Sequence, residues 1–92
     1  MNKRLFPLGQ VVGTPACLEL LSRNHQPPSE FLDRHVRGDW GTVCPDDAQA
    51  NQDALEHGER LLSVYKLKDD STIWIITEWD RSATTLLLPS DY

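Results

Sequence analysis

Two hydrophobic rhythms divide this chain. From Glu59 onward the apolar positions repeat every second residue, as they do on a pleated strand. Leu61, Ser63, Tyr65 and Leu67 alternate with Leu62, Val64 and Lys66. The polar run Lys68-Asp69-Asp70-Ser71 then reads as a turn. Thr72 to Trp79 is the most β-prone stretch, dense in β-branched and aromatic residues, and is placed centrally in a sheet. Asp80-Arg81-Ser82 is the next turn, and Ala83 to Leu88 forms a third strand stopped by Pro89. Connections this short favour antiparallel neighbours, because parallel pairing needs a long crossover. An antiparallel β-meander over Glu59–Pro89 is therefore predicted.

Upstream the rhythm is helical. Thr14-Pro15 reads as N-cap and first helical residue, and Cys17, Leu20 and Leu21 form an i, i+3, i+4 stripe running to about Arg23, with Asn24 as the left-handed terminator. Pro27-Pro28 denies the connector helix interior, and Ser29 caps a second helix in which Phe31 and His35, and Leu32 and Val36, share a face. Gly38 ends it. Pro45 opens a third, polar helix with Asp46 and Asp47 in its first turn, where a helix dipole favours acid; it ends at Gly58. Its contact stripe is Ala48, Asn51 and Leu55. Leu8 to Gly13 reads as a short strand or extended lead-in, and residues 1–7 as a loose arm.

Helices in a block followed by strands in a block predict an α+β fold: a short N-terminal strand or extended segment, two to three helices, then a three-stranded meander packed on them. A chain of 92 residues makes one domain. A formal net charge of −5 disfavours direct nucleic-acid binding, which needs clustered Lys and Arg, and suits a partner with a basic surface. Cys17 and Cys44 form no C-x-x-C pair and no disulfide framework, and read as two free, partly buried thiols. The opening Met1-Asn2-Lys3-Arg4 leads into only Leu5-Phe6 before Pro7, too short for a secretory leader, and no apolar run is long enough to span a bilayer. A cytoplasmic protein is expected.

Candidate chemistry is sparse. His25, His35, His57 and the two cysteines lack metal-site spacing, so no metal or cofactor is expected. There is no nucleophile elbow around Ser82, and the glycines form neither a Walker A loop nor a dinucleotide fingerprint. The adjacent acids Asp46-Asp47 and Asp69-Asp70 diverge and cannot flank a glycosidic bond. Two clusters join tryptophan, arginine and acid at element ends: Arg37, Asp39 and Trp40 in one, and Glu78, Asp80 and Arg81, with Trp79 between them, in the other. Trp and Arg are enriched at binding hot spots, so these six residues are the candidate binding site. The plainer reading is that Trp40 plugs the seam between sheet and helices while Arg–Asp pairs hold turns.

The runs G-D-W-G at 38–41, G-E-R-L-L-S-V-Y at 58–65, I-W-I-I-T-E-W-D-R-S-A-T-T at 73–85 and L-L-P-S-D-Y at 87–92 resemble a family of small proteins labelled "plasmid-related protein", found on plasmids, integrative elements and phages. The resemblance covers most of the chain from Leu8. Family members carry a small or acidic residue where this chain has Trp79, and a more glycine-like turn near Asp70. The resemblance implies an accessory gene on mobile DNA and carries over no catalytic residue. With the charge, it suggests a protein-binding inhibitor or modulator of a host defence or nucleic-acid-handling protein rather than an enzyme. Alternatives are a ribonuclease toxin of the RelE/ParE type, whose strand, two helices and meander follow the same order, and a small-ligand module with Trp40 or Trp79 over a pocket. A strand edge at 83–88 or 61–67 offers a route to a homodimer.

Overall fold

The computed structural model describes residues 3–92, and the chain folds as α+β. The elements are β1 (Gln10–Gly13), α1 (Pro15–Arg23), α2 (Pro28–Val36), α3 (Pro45–His57), β2 (Leu61–Lys66), β3 (Thr72–Thr77) and β4 (Ala83–Leu87), with a closing 3₁₀ turn at Pro89–Asp91. The strand order is β1-β4-β3-β2. β2, β3 and β4 form the antiparallel meander, but β1 runs parallel to β4, so the sheet is mixed. The segment 83–88 is consequently no edge. It lies between β3 and β1, and the sheet ends at β1 and β2.

Each helix begins at a proline, whose missing N–H is one the first turn leaves unpaired anyway. Thr14 Oγ1 caps α1 by accepting from Cys17 N at 3.2 Å. α2 starts at Pro28 with Pro27 as its N-cap, two residues ahead of the expected Ser29 cap. α1 ends differently from the expectation too. Asn24 keeps φ −89° and His25 takes the left-handed turn at φ 54°. The Asn24 side chain has other partners: its Nδ2 donates to Leu20 O and its Oδ1 accepts from Asp69 N. Gln26 Oε1 likewise accepts from Lys68 N, so the α1–α2 connector clamps the β2–β3 turn.

One face of the sheet carries Leu61, Ser63, Tyr65, Ile73, Ile75, Thr77, Thr84 and Leu86, all buried beneath the helices. Cys17, Leu21 and Phe31 close over its centre, and Phe31 and Tyr65 rings lie 5.3 Å apart. A second cluster of Phe6, Val36, Trp40, Ala54 and Leu61 fills the end nearer α3. Phe6 corrects the expectation of a loose arm. It is 6% exposed, stacks 6.3 Å from Trp40, and is held by Leu5 N donating to Val36 O. The arm's first two positions, Met1 and Asn2, lie outside the described residues. The other face carries Leu62, Val64, Trp74, Ile76, Thr85 and Leu87, and the closing 3₁₀ turn packs against it at β3, with Ile76 and Leu87 buried. Among the described residues no helix is long and apolar enough to cross a membrane.

Candidate functional site

The six residues singled out by sequence fall at two neighbouring corners, joined through Phe6. Trp40 packs on one side of its ring, and the Arg81 guanidinium carbon sits 5.7 Å from its centroid. Most of their polar atoms are already engaged within the chain. Arg34 grips Asp39 with Nε to Oδ2 at 2.7 Å and Nη2 to Oδ1 at 3.3 Å, and Gly41 N donates to the same carboxylate. The guanidinium hydrogen bond holds Asp39 below the usual carboxylate range. Arg81 adopts φ 60° and donates to Ala54 O, Glu59 O and Glu78 O, pinning the end of α3 to the β3–β4 turn. Asp80 Oδ1 accepts from Ser82 N, and Glu78 faces Arg60 at 3.7 Å. Trp40 is 5% exposed, and its Nε1 is buried with no partner among the described residues. Arg37 stays exposed beside Asp33 at 3.9 Å. These corners are built chiefly of internal ties.

Beneath the helices lies a polar chain that sequence reading missed. Thr84 Oγ1 donates to Leu8 O at 2.8 Å. A carbonyl only accepts, so the Thr84 hydroxyl proton is committed there. Thr77, 2.7 Å away, must then donate to Thr84. His35 Nε2 lies 2.9 Å from Thr77 Oγ1 and must carry a proton. Burial, aided by the charge of Arg81, lowers the ring's pKa from 6.5 to about 4 and so favours the neutral imidazole. In that form Nδ1 accepts from Ser63 Oγ at 2.6 Å, which defines one tautomer. In a cleft, a serine donating to a histidine would suit a nucleophile and its base. Here Ser63, His35, Thr77 and Thr84 are all essentially without solvent exposure, and the chain ends on a backbone carbonyl. Its work is to satisfy buried polar groups.

The two thiols also separate. Cys17 is buried, its pKa raised to about 11 by that burial and by the Asp91 carboxylate, whereas Cys44 is exposed. Among the described residues no group of three His, Cys, Asp or Glu side chains is placed to hold a metal ion.

An accessible hollow lies on the sheet face opposite α1, α2 and α3. Arg60, Leu61, Leu62, Trp74, Ile76 and Tyr92 line a hollow of about 270 Å³. The 3₁₀ turn brings Tyr92 back over the sheet, 5.6 Å from Trp74 in an edge-to-face arrangement. Arg60 approaches the Tyr92 ring at 5.9 Å and donates from Nη1 to its hydroxyl at 3.3 Å. Glu78 stands on the far side of Arg60. Neither aromatic was singled out from sequence: strand alternation with the buried Ile73 and Ile75 marks Trp74 as facing the other way, but nothing local marks Tyr92 as its neighbour. Along the β2 edge runs α3, whose Asp46, Asp47, Asp53 and Glu56 are exposed and which contains no Lys or Arg. That helix holds a local charge of −4 against −5 for the whole chain. The acid surplus is therefore localised beside the hollow. Comparison with protein-family models, curated proteins and solved structures finds no match to this chain.

Proposed function

We propose that this is an accessory protein of mobile DNA that acts in the cytoplasm by binding another protein, occupying a basic surface of a host defence or nucleic-acid-handling factor. The observation that carries this reading is the pairing of the acidic α3 face with the aromatic hollow of Arg60, Trp74 and Tyr92. Aromatic and arginine side chains in a partly enclosed site are the usual anchors of protein recognition, and a flanking acidic helix steers a basic partner. The mobile-DNA setting rests on the sequence resemblance alone.

The contact surface favoured here differs from the Arg37, Asp39, Trp40, Glu78, Asp80 and Arg81 set. Trp40 and Arg81 are committed inward, so their alanine variants would disturb the fold before they reported on binding. The discriminating experiment is capture of a partner by the tagged protein. Retention is expected to fall with salt, to drop on neutralising Asp46, Asp47, Asp53 and Glu56 to amides, and to be lost in a Trp74→Ala/Tyr92→Ala variant with an unchanged circular dichroism spectrum. Capture that both variants retain would remove this surface from consideration. A second reading follows from the same hollow: its volume is just under the range usual for small-ligand sites, and an apolar ligand there would quench Trp74 fluorescence without any protein partner.

A further inference from the structure

The two edges of the sheet are finished in opposite ways. On β2 the outward groups of Leu62 are bracketed by one side chain, with Asn51 Oδ1 accepting from Leu62 N and Nδ2 donating to Leu62 O. Those of Val64 are taken by the 40–42 segment, Val64 N donating to Trp40 O and Thr42 N to Val64 O. β1 has no such cover among the described residues. Gln10 N donates inward to Ser82 O and Thr14 N to Leu86 O. In a parallel ladder the same alternate residues supply both inward groups, so Val11 and Gly13 turn their N–H and C=O outward.

The side chains along this edge are apolar and unpaired. Of the six large hydrophobic residues exposed among the described residues, three gather here: Val11, Val12 and Leu18. Leu18 lies over Gly13, its Cδ2 2.8 Å from where a β-carbon would stand, so the glycine makes room for it. Lysine, proline and charge, the devices that normally blunt an edge, are missing from Gln10–Gly13; only its shortness protects it.

We propose that β1 is a homodimerisation edge, pairing antiparallel with β1 of a second copy about a two-fold axis through Val12. The register follows from the outward groups. Val11 must exchange both hydrogen bonds with Gly13 of the second copy, and Gly13 with its Val11, which makes four backbone bonds. Val12 then faces Val12 as a non-hydrogen-bonded pair, the closer type. Val11 comes to lie over a glycine, beside the Leu18 that already roofs it. All three exposed apolar side chains gain cover in this one arrangement. A foreign strand would satisfy the same backbone groups, but nothing on this chain would choose its side chains. A second copy supplies the matching valine and glycine itself. The product is a continuous eight-stranded sheet with both α3 faces and both hollows free. So short an edge belongs with weak interfaces, so the dissociation constant should be micromolar.

Sedimentation velocity over a concentration series from low to high micromolar tests this with the full chain. Reversible dimerisation is expected for the native protein, and a monomer at every concentration for Val12→Lys, which sets two ammonium groups face to face without touching the core. The register is tested by oxidation in a Cys44→Ser background. Val12→Cys should cross-link into a covalent dimer, since non-hydrogen-bonded pairs lie within disulfide reach, while Val11→Cys, opposite glycine, should not. A native protein that stays monomeric throughout, a Val12→Lys variant that still dimerises, or equal cross-linking by both cysteine variants would overturn the proposal. None of these variants alters α3 or the hollow, so the outcome is independent of the proposed function.

Discussion

At the scale of single residues, His35 decides more than any other side chain. Its ring is sealed by Phe6 and Trp40, at 5.1 and 5.7 Å, and its two nitrogens bridge β2 to β3 through Ser63 and Thr77. The amphipathic spacing of α2 placed His35 on the inner face with Phe31, which the fold confirms. Its partners were not legible, because Ser63 lies 28 residues away and Thr77 lies 42 away, joined to it only through packing. A neutral buried histidine has a consequence for stability against pH. Its folded pKa, about 4, lies below the ordinary 6.5. Between those values the unfolded chain binds a proton that the folded chain refuses, so stability falls as pH drops through this window and levels off below it. The full loss is on the order of 3 kcal/mol, from about 1.4 kcal/mol for each pKa unit. Carboxylates with lowered pKa, such as Asp39, act in the same direction but lower on the scale: their stabilisation is present above the ordinary carboxylate pKa and disappears only at more acid pH. Urea unfolding at pH 7, 6 and 5 should therefore show a steady decline before any carboxylate titrates. A His35→Gln variant should be less stable at pH 7 but lose much less over the same interval. An equally steep decline in that variant would place the source elsewhere.

At the scale of elements, the strands and helices follow from local pattern, and their neighbours follow from residues whose roles are not local. Alternation from Leu61, the proline starts of α1 and α3, and the helix stop at Gly58, φ 68°, were readable, whereas the start of α2 at Pro28 was not. The parallel pairing of β1 with β4 was not, because four residues of Gln-Val-Val-Gly carry too little pattern to name a partner. α3 shows the same division. Its expected stripe of Ala48, Asn51 and Leu55 does face the core, with Ala54 buried beside it. What the stripe did not tell is the role of Asn51, whose amide fits the exposed backbone of Leu62 as another strand would, at 3.0 and 2.7 Å. That contact docks the helix and also seals the β2 edge. Asn51→Ala removes both bonds and leaves the Leu62 N–H and C=O without partners. The expected cost is about 1–3 kcal/mol, the range for unsatisfying a buried polar group. Hydrogen exchange should show protection lost first at Leu62 and in α3, with the β3–β4 pair retaining its own. Uniform loss of protection would mean that α3 is not docked through this amide.

At the scale of the whole molecule, the interior is two clusters, and the N-terminal segment completes the second of them. The larger cluster, around Tyr65 and Ile75, is assembled from α1, α2 and the sheet. The second lies between α2, α3 and the sheet end, and Phe6 fills its middle, against Trp40, His35 and Arg81. The segment read as an arm because two basic residues and a proline surround Leu5-Phe6. Local composition says nothing about a cavity that exists only after Val36, Trp40 and Leu61 have come together. Removing the Phe6 ring would empty that cavity, expose the Trp40 face and leave Arg81 without its aromatic contact. For Phe6→Ala a loss of about 3–5 kcal/mol is expected. A domain this size commands only some 5–10 kcal/mol in total, so such a loss lowers the melting temperature by roughly 15 °C or more. Thermal unfolding followed by tryptophan fluorescence measures this directly, and Phe6→Leu, which keeps much of the volume, should recover most of the difference. A deletion of residues 1–7 should then match Phe6→Ala closely, because Phe6 is the buried member of the segment described, its neighbours Leu5 and Pro7 being exposed. If the deletion melts near the native temperature, the segment is an appendage after all, and the second cluster closes without it.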